Sequence, residues 1–304
     1  MPHGVVLTPD RTAANLVDDA VAQAKGAYDA GVRQVWLAQR VDYDAIALAG
    51  LIGAAVPGLG VGTSVVPINP RHPLIIAAAA QTAQAASHGN FSLGLGLGAP
   101  SVESAAFGLT VDKPVRRLRE YLTLLRSIFH DGTADFHGTE VTASPEWPVD
   151  VPGGAPLPVY VAAMGPQALK VTGELADGTL PYLAGPRTIA EFIAPTITKA
   201  ATDAGRPAPR IFAMVPVVID DDADAARAHA AQELAFYATI PSYQAVIARE
   251  GVDGIADLAA VGTAEAVSRK LQTYLDAGAT DVVPTVLRSS SVEQQQLWQI
   301  AAGL

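Results

Sequence analysis

The run LGVGTSVVPINPRHPLIIAAAAQTAQAASHGNFSLGLGLG, Leu59 to Gly98, holds an apolar strand, a crowded corner, a helix and a second apolar strand. The first strand reads as Leu59–Val66 and the second as Phe91–Leu97. Between them Pro67, Pro70 and Pro73 crowd one corner, with Arg71 and His72 at its tip. Pro73 suits the first position of a helix over Pro73–Ala86, where its missing N–H costs nothing. Both strands are continuously apolar rather than alternating, the mark of parallel strands covered on two faces.

The same rhythm extends outward. Gly4–Thr8 reads as a strand, and Leu16, Val17, Ala20, Val21, Ala24 and Tyr28 recur at helical spacing with Gly31 just beyond. Val32–Ala38 is a strand and Asp42–Ala54 a helix. From about 99 to 156 the alternation pauses around one helix, Lys113–Phe129, and a Gly/Pro-rich stretch. It resumes with strand Pro158–Ala163, helix Gln167–Leu175, strand Gly178–Leu183, helix Arg187–Ala204 and strand Ile211–Ile219. A long helical section over Asp222–Ala260 and a helix over Ala264–Ala277 precede strand Asp281–Val286, and Val292–Ala302 closes the chain. Eight strand–helix units predict an α/β fold, a (β/α)8 TIM barrel, formed as one domain over 1–304.

Composition narrows the function. The chain has 304 residues, half of them apolar, enough for a large core. A net charge of −10, with only 20 Lys and Arg, speaks against a nucleic-acid backbone or anionic membrane as partner. Cysteine is absent, which excludes disulfides and thiolate chemistry. No signal-like pattern opens the sequence, and the longest apolar runs are too short to span a bilayer, so a cytoplasmic protein is expected.

In such barrels the working groups follow the C-terminal strand ends. Gly94, Gly96 and Gly98 alternate with Leu93, Leu95 and Leu97, leaving one strand face bare for something broad and flat, or merely relieving crowding. The stretch also scans as a dinucleotide fingerprint, set aside here because Pro100 follows and no helix is expected to open directly. Ala162–Ala163–Met164–Gly165–Pro166 ends a strand and starts a helix, which suits an anion or is an ordinary turn. His72 near a helix start reads as a structural cap or a catalytic group, and Arg71 as an anion ligand or a surface charge. No paired-histidine metal motif and no nucleophile elbow is present.

Taken in order, GTSVVP with RHP, SHGNFSLGLGLG, REYLTLLRSIF, VYVAAMGPQALKVTGELADG and AGATDVV resemble the luciferase-like monooxygenase superfamily, and more closely its branch using the deazaflavin coenzyme F420. The resemblance covers nearly the whole chain. It implies a bulge with a non-prolyl cis peptide at Ser64–Val65, supporting one face of a tricyclic ring, which would explain the stiff corner. It places Gln39, Ser64, Val65, Gly98 and Ala99 along the cofactor, and Ala162, Ala163, Met164, Gly165 and Pro166 at its phosphate-bearing tail. It equates residues of about 99–157 with an insertion after strand four that partly covers the pocket. It also implies a homodimer through the helices over Asp42–Ala54 and Leu74–Ala86.

The chain departs from the family where many members that oxidise alcohols carry an acid and a histidine, since Gln39–Arg40 stand there. Hydride transfer needs ring placement and a proton donor, and Arg40, Tyr43, His72 and Tyr182 are the candidates. The expected activity is an F420-dependent oxidoreductase acting on a small organic substrate. FMN with oxygen is the alternative chemistry, and a cofactor-binding barrel without turnover is the third.

Overall fold

The computed structural model describes residues 4–288 and 290–304. They fall into two compact units. One is Trp36–Thr179 with Lys199–Pro209; the other takes the described residues before Trp36, together with Leu180–Thr198 and Arg210–Leu304.

The Trp36–Thr179 unit is built on a parallel sheet. Gly60–Thr63, Phe91–Gly96, Val159–Ala162 and Gly178–Thr179 lie side by side, in register at Val61 with Phe91, Leu93 with Val159 and Tyr160 with Gly178. The end of the Gln34–Leu37 strand flanks Gly60–Thr63, where Ser64 N–H donates to the Leu37 carbonyl at 2.8 Å. Helices Ala45–Ala55, Pro73–Ala86 and Pro166–Leu175 connect consecutive strands, as parallel pairing requires. Asp44 caps the first by accepting from Ile46 and Ala47 N–H, and Pro73 opens the second.

Close packing fixes the register of this sheet. Trp36 is fully buried and lies against Gly62, where any Cβ would come within 2.6 Å of the indole. Tyr160 meets the same ring edge-on at 6.1 Å. Buried Thr63 spans to the next strand: its hydroxyl donates to Gly94 O and accepts from Gly94 N–H, each at 2.9 Å.

Two expectations change in these elements. The strand read as Leu59–Val66 is two pieces, Gly60–Thr63 and Val66–Pro67, separated at the cis Ser64–Val65 peptide. Between Phe91–Gly96 and Val159–Ala162 there are two α-helices, Pro100–Phe107 and Pro114–Arg126, not one. The first has no apolar stripe to betray it, yet Pro100 starts it and Gly108 at φ 65° ends it. A π-turn over Ser127–Asp131 and a short antiparallel pair, Phe136–His137 with Thr142–Ala143, follow.

In the other unit, Arg210–Ile219 pairs in parallel with Asp281–Val286 and, at its far end, with Ala260–Gly262. Asp281 is 1% exposed and tied to Arg210 at 2.5 Å. The section read as helical over Asp222–Ala260 breaks into Ala223–Glu233, Ala235–Ala238, Pro241–Glu250 and a 3-10 turn, Ile255–Leu258, before that unforeseen strand. Pro241 forces a new start and Gly251, at φ 74°, an end. Among the described residues, no helix is long and apolar enough to cross a membrane.

Replacing Thr63 by Val keeps its shape and removes both bonds to Gly94. The expected cost is about 1–2 kcal/mol, read as a lower urea midpoint. An unchanged midpoint would mean that the Thr63 hydroxyl does not hold these strands together.

Candidate functional site

Ligands of parallel α/β sheets sit outside the carboxyl ends of the strands. In the Trp36–Thr179 unit those ends carry Gln39, Arg40 and Tyr43 after Gln34–Leu37, Ser64 and Val65 after Gly60–Thr63, Gly98 and Ala99 after Phe91–Gly96, and Ala163–Pro166 after Val159–Ala162. The structure thus brings these predicted residues to one edge of one sheet. Tyr182 belongs to the other unit.

The corner is fastened by polar groups that the sequence reading passed over. Ile68 N–H donates to Gly96 O at 3.0 Å. Asn69 Nδ2 donates to Leu97 O at 2.9 Å and to Glu103 Oε2 at 2.7 Å, and both side chains are buried. Arg117 donates to Asn69 O, Tyr121 OH to Arg71 O, and Arg71 pairs with Asp44 at 2.7 Å. Asn69 between two prolines, and Glu103 alone in APSVESAAF, were the available signals.

The glycine ladder differs from expectation. Val65 lies across Gly96, where a Cβ would come within 2.6 Å of its Cγ2. The Glu103 carboxylate occupies the space beside Gly98, which sits at φ 77°. Two of the three bare positions therefore receive the chain's own side chains instead of leaving an open flat face. A helix also does open directly after this strand, at Pro100, so that ground for dismissing the glycine motif fails. Gly98 serves instead to admit a carboxylate.

Two of the candidate polar groups are committed to structure. His72 caps its helix: Nδ1 accepts from Leu74 N–H at 3.2 Å, so Nε2 carries the hydrogen and donates to Thr142 O at 3.0 Å. That ring is not free to give a proton, contrary to one expectation. Gln39 donates to the carbonyls of Arg40 and Tyr43 and accepts from Ala45 N–H and Arg71, so its amide shapes the loop rather than facing a ligand. Arg40 pairs with Asp42 at 3.2 Å. Tyr43 is half-buried; burial pushes its phenol up, Arg40 opposes the shift and Asp42 adds to it.

At the other end of this edge, backbone amides are left over. Gly165 precedes helix Pro166–Leu175 with no side-chain cap, and a Cβ on it would meet nothing within 4 Å. Ala99 precedes Pro100–Phe107, also without a side-chain cap. Their strands are paired neighbours, so two bare helix starts follow adjacent strand ends. Beside them the buried Ser64 hydroxyl has no hydrogen-bond partner.

A second strap closes the segment around Phe136–Ala143. The Glu120 carboxylate accepts from the N–H groups of Thr139, Glu140 and Val141, at 2.7 to 3.1 Å. Burial pushes it upward, but these amides and Arg116 prevail and hold it below the usual carboxylate range. A depressed folded-state value adds stability above the unfolded value of about 4.3, lost as pH falls through the folded one. The urea midpoint advantage of wild type over Glu120→Gln should therefore shrink below about pH 4. A gap constant with pH would show that the charge is not what holds the strap.

A family model for luciferase-like monooxygenases matches residues 1–281. A putative coenzyme F420-dependent oxidoreductase of Mycobacterium tuberculosis is 30% identical over 226 residues, 69% of this chain and 65% of that protein. In fold the chain is similar to the coenzyme F420-dependent tetrahydromethanopterin reductase of Methanopyrus kandleri, with TM-score 0.81 and 22% identity over 99% of this chain and 97% of that one. It is also similar to the FMN-bound oxygenating constituent of 3,6-diketocamphane monooxygenase of Pseudomonas putida, a type II Baeyer–Villiger enzyme. There the TM-score is 0.76 at 15% identity, over 99% of this chain and 96% of that one. Identities below a quarter carry the fold alone.

Proposed function

Because the chain belongs to the luciferase-like monooxygenase family, we propose that it is a coenzyme F420-dependent oxidoreductase moving a hydride between the deazaflavin and a small organic molecule. The observation that carries this reading is the pair of uncapped helix starts at Ala99–Pro100 and Gly165–Pro166, on neighbouring strand ends beside the unpartnered Ser64 hydroxyl. Free N–H groups at helix starts favour an anion, and the absent Cβ of Gly165 lets a phosphate approach them. The residues present therefore fit the phosphate-bearing tail and polar ring edge of such a coenzyme. Ala162, Ala163, Met164, Gly165 and Pro166 would hold the tail; Ser64, Val65 and Ala99 would border the ring. Bound there, the coenzyme supplies or accepts a hydride.

The chain's own contribution is then positioning and one proton. Gln39 fixes the loop carrying Tyr43 by four hydrogen bonds. Tyr43 keeps its proton through neutral pH because burial disfavours the phenolate, and its hydroxyl has no hydrogen bond among the described residues. It is the group we assign to give the substrate its proton. The same family reading carries the closed eight-stranded barrel, the cover after strand four and a homodimer. Leu51 and Ile75, on helices Ala45–Ala55 and Pro73–Ala86, are 52% and 64% exposed and favour that dimer surface.

The test is turnover of reduced deazaflavin with ketones and electron-poor alkenes, with oxygen uptake followed in parallel. Expected are substrate-dependent reoxidation without oxygen uptake, and a kcat for Tyr43→Phe about 100-fold lower at similar KM. Oxygen uptake with reduced FMN would assign the chain to the monooxygenases instead. Tight cofactor binding with no reducible substrate turned over would leave a binding protein.

A further inference from the structure

The other unit gathers three tyrosines into one cluster. Tyr182 and Tyr237 have ring centroids 5.2 Å apart, Tyr237 and Tyr243 5.2 Å, and Tyr182 and Tyr243 6.5 Å, all edge-to-face. Phe236, half exposed, stands 5.7 Å from Tyr237. Tyr182 is placed firmly: Met214 N–H donates to Pro181 O, Leu183 N–H donates to Met214 O, and buried Leu183 adopts the left-handed region at φ 55°. Such a conformation is uncommon for leucine and is retained where surroundings enforce it. Tyr237 and Tyr243 come from Ala235–Ala238 and Pro241–Glu250, the segments where the helical section is broken.

The three hydroxyls make no hydrogen bond among the described residues, and none is sealed from solvent. Burial pushes all three phenols up, and Tyr237 and Tyr243 add to the shift at Tyr182. No cation contributes at any of them. The cluster therefore offers aromatic walls and neutral donors, with nothing to balance an anion. Hydroxyls that solvent reaches but no protein group engages are free to donate to a ligand acceptor that takes the place of water.

We propose that Tyr182, Tyr237 and Tyr243 form a binding cup for a flat, uncharged aryl or conjugated carbonyl compound, its body against the rings and its oxygen accepting from the phenols. Calling that compound the substrate rests on the oxidoreductase reading; the binding does not. Tyr182, a candidate proton donor from sequence, becomes a binding group.

The test compares acetophenone with ethylbenzene, which lacks only the acceptor oxygen, by calorimetric titration of cofactor-free protein. Wild type is expected to favour acetophenone about tenfold, the value of one satisfied hydrogen bond. The Tyr237→Phe/Tyr243→Phe double variant should lose that preference and keep its affinity for ethylbenzene. Equal wild-type affinities, no binding of either probe, or a preference surviving in the double variant would overturn the proposal. If the double variant does not fold, the wild-type comparison decides alone. A deazaflavin titration of the same preparation separates the two readings: lost coenzyme binding removes the oxidoreductase assignment and leaves the cup, whereas lost carbonyl preference alone removes only the cup.

Discussion

The buried hydrogen bond between Asn69 and Glu103 fixes the edge on which the rest of the site is built. Glu103 is 5% exposed, and its Oε2 accepts from an amide that also holds the Leu97 carbonyl, while its Oε1 is buried without a partner. One side chain thereby joins three pieces of chain: the proline corner, the end of Phe91–Gly96 and the helix from Pro100. Glycine at 98 follows from this arrangement, because a side chain there would displace the carboxylate. The corner is stiff because it is an anchor point, with Arg117 and Tyr121 holding its backbone carbonyls.

That anchoring explains how side chains are divided around the edge. Helices Ala45–Ala55 and Pro73–Ala86 use Asp44 and His72 to satisfy their own first amides. Helices Pro100–Phe107 and Pro166–Leu175 use none, so their amides stay available to a ligand. Polar side chains along the edge are mostly engaged elsewhere: His72 with Thr142, Gln39 with its loop, Arg71 with Asp44. On the proposed reading, such a site would position a reactive coenzyme and add little chemistry of its own.

Much of this was readable from the chain. Continuous apolar runs gave the strands, and Asp281–Val286 and the helix Pro73–Ala86 match to the residue, because buried parallel strands and a proline-led helix leave strong local marks. Helix Pro100–Phe107 and strand Ala260–Gly262 escaped because each is short and lacks a period. The edge of the sheet was legible, but the use of its side chains was not. His72 meets a carbonyl 70 residues away, Arg71 reaches Gln39 across 32, and Asn69 finds Glu103 across 34. No local pattern encodes such partners, so a histidine that caps and one that catalyses look alike in sequence.

On the proposed reading, the bare helix starts and the anchored corner hold the phosphate-bearing tail and ring edge of a deazaflavin. Equilibrium dialysis of one preparation against oxidised coenzyme F420 and against FMN tests it most directly. The account predicts saturable binding of F420 that FMN does not displace. Equal or tighter binding of FMN, or no binding of either, would contradict it.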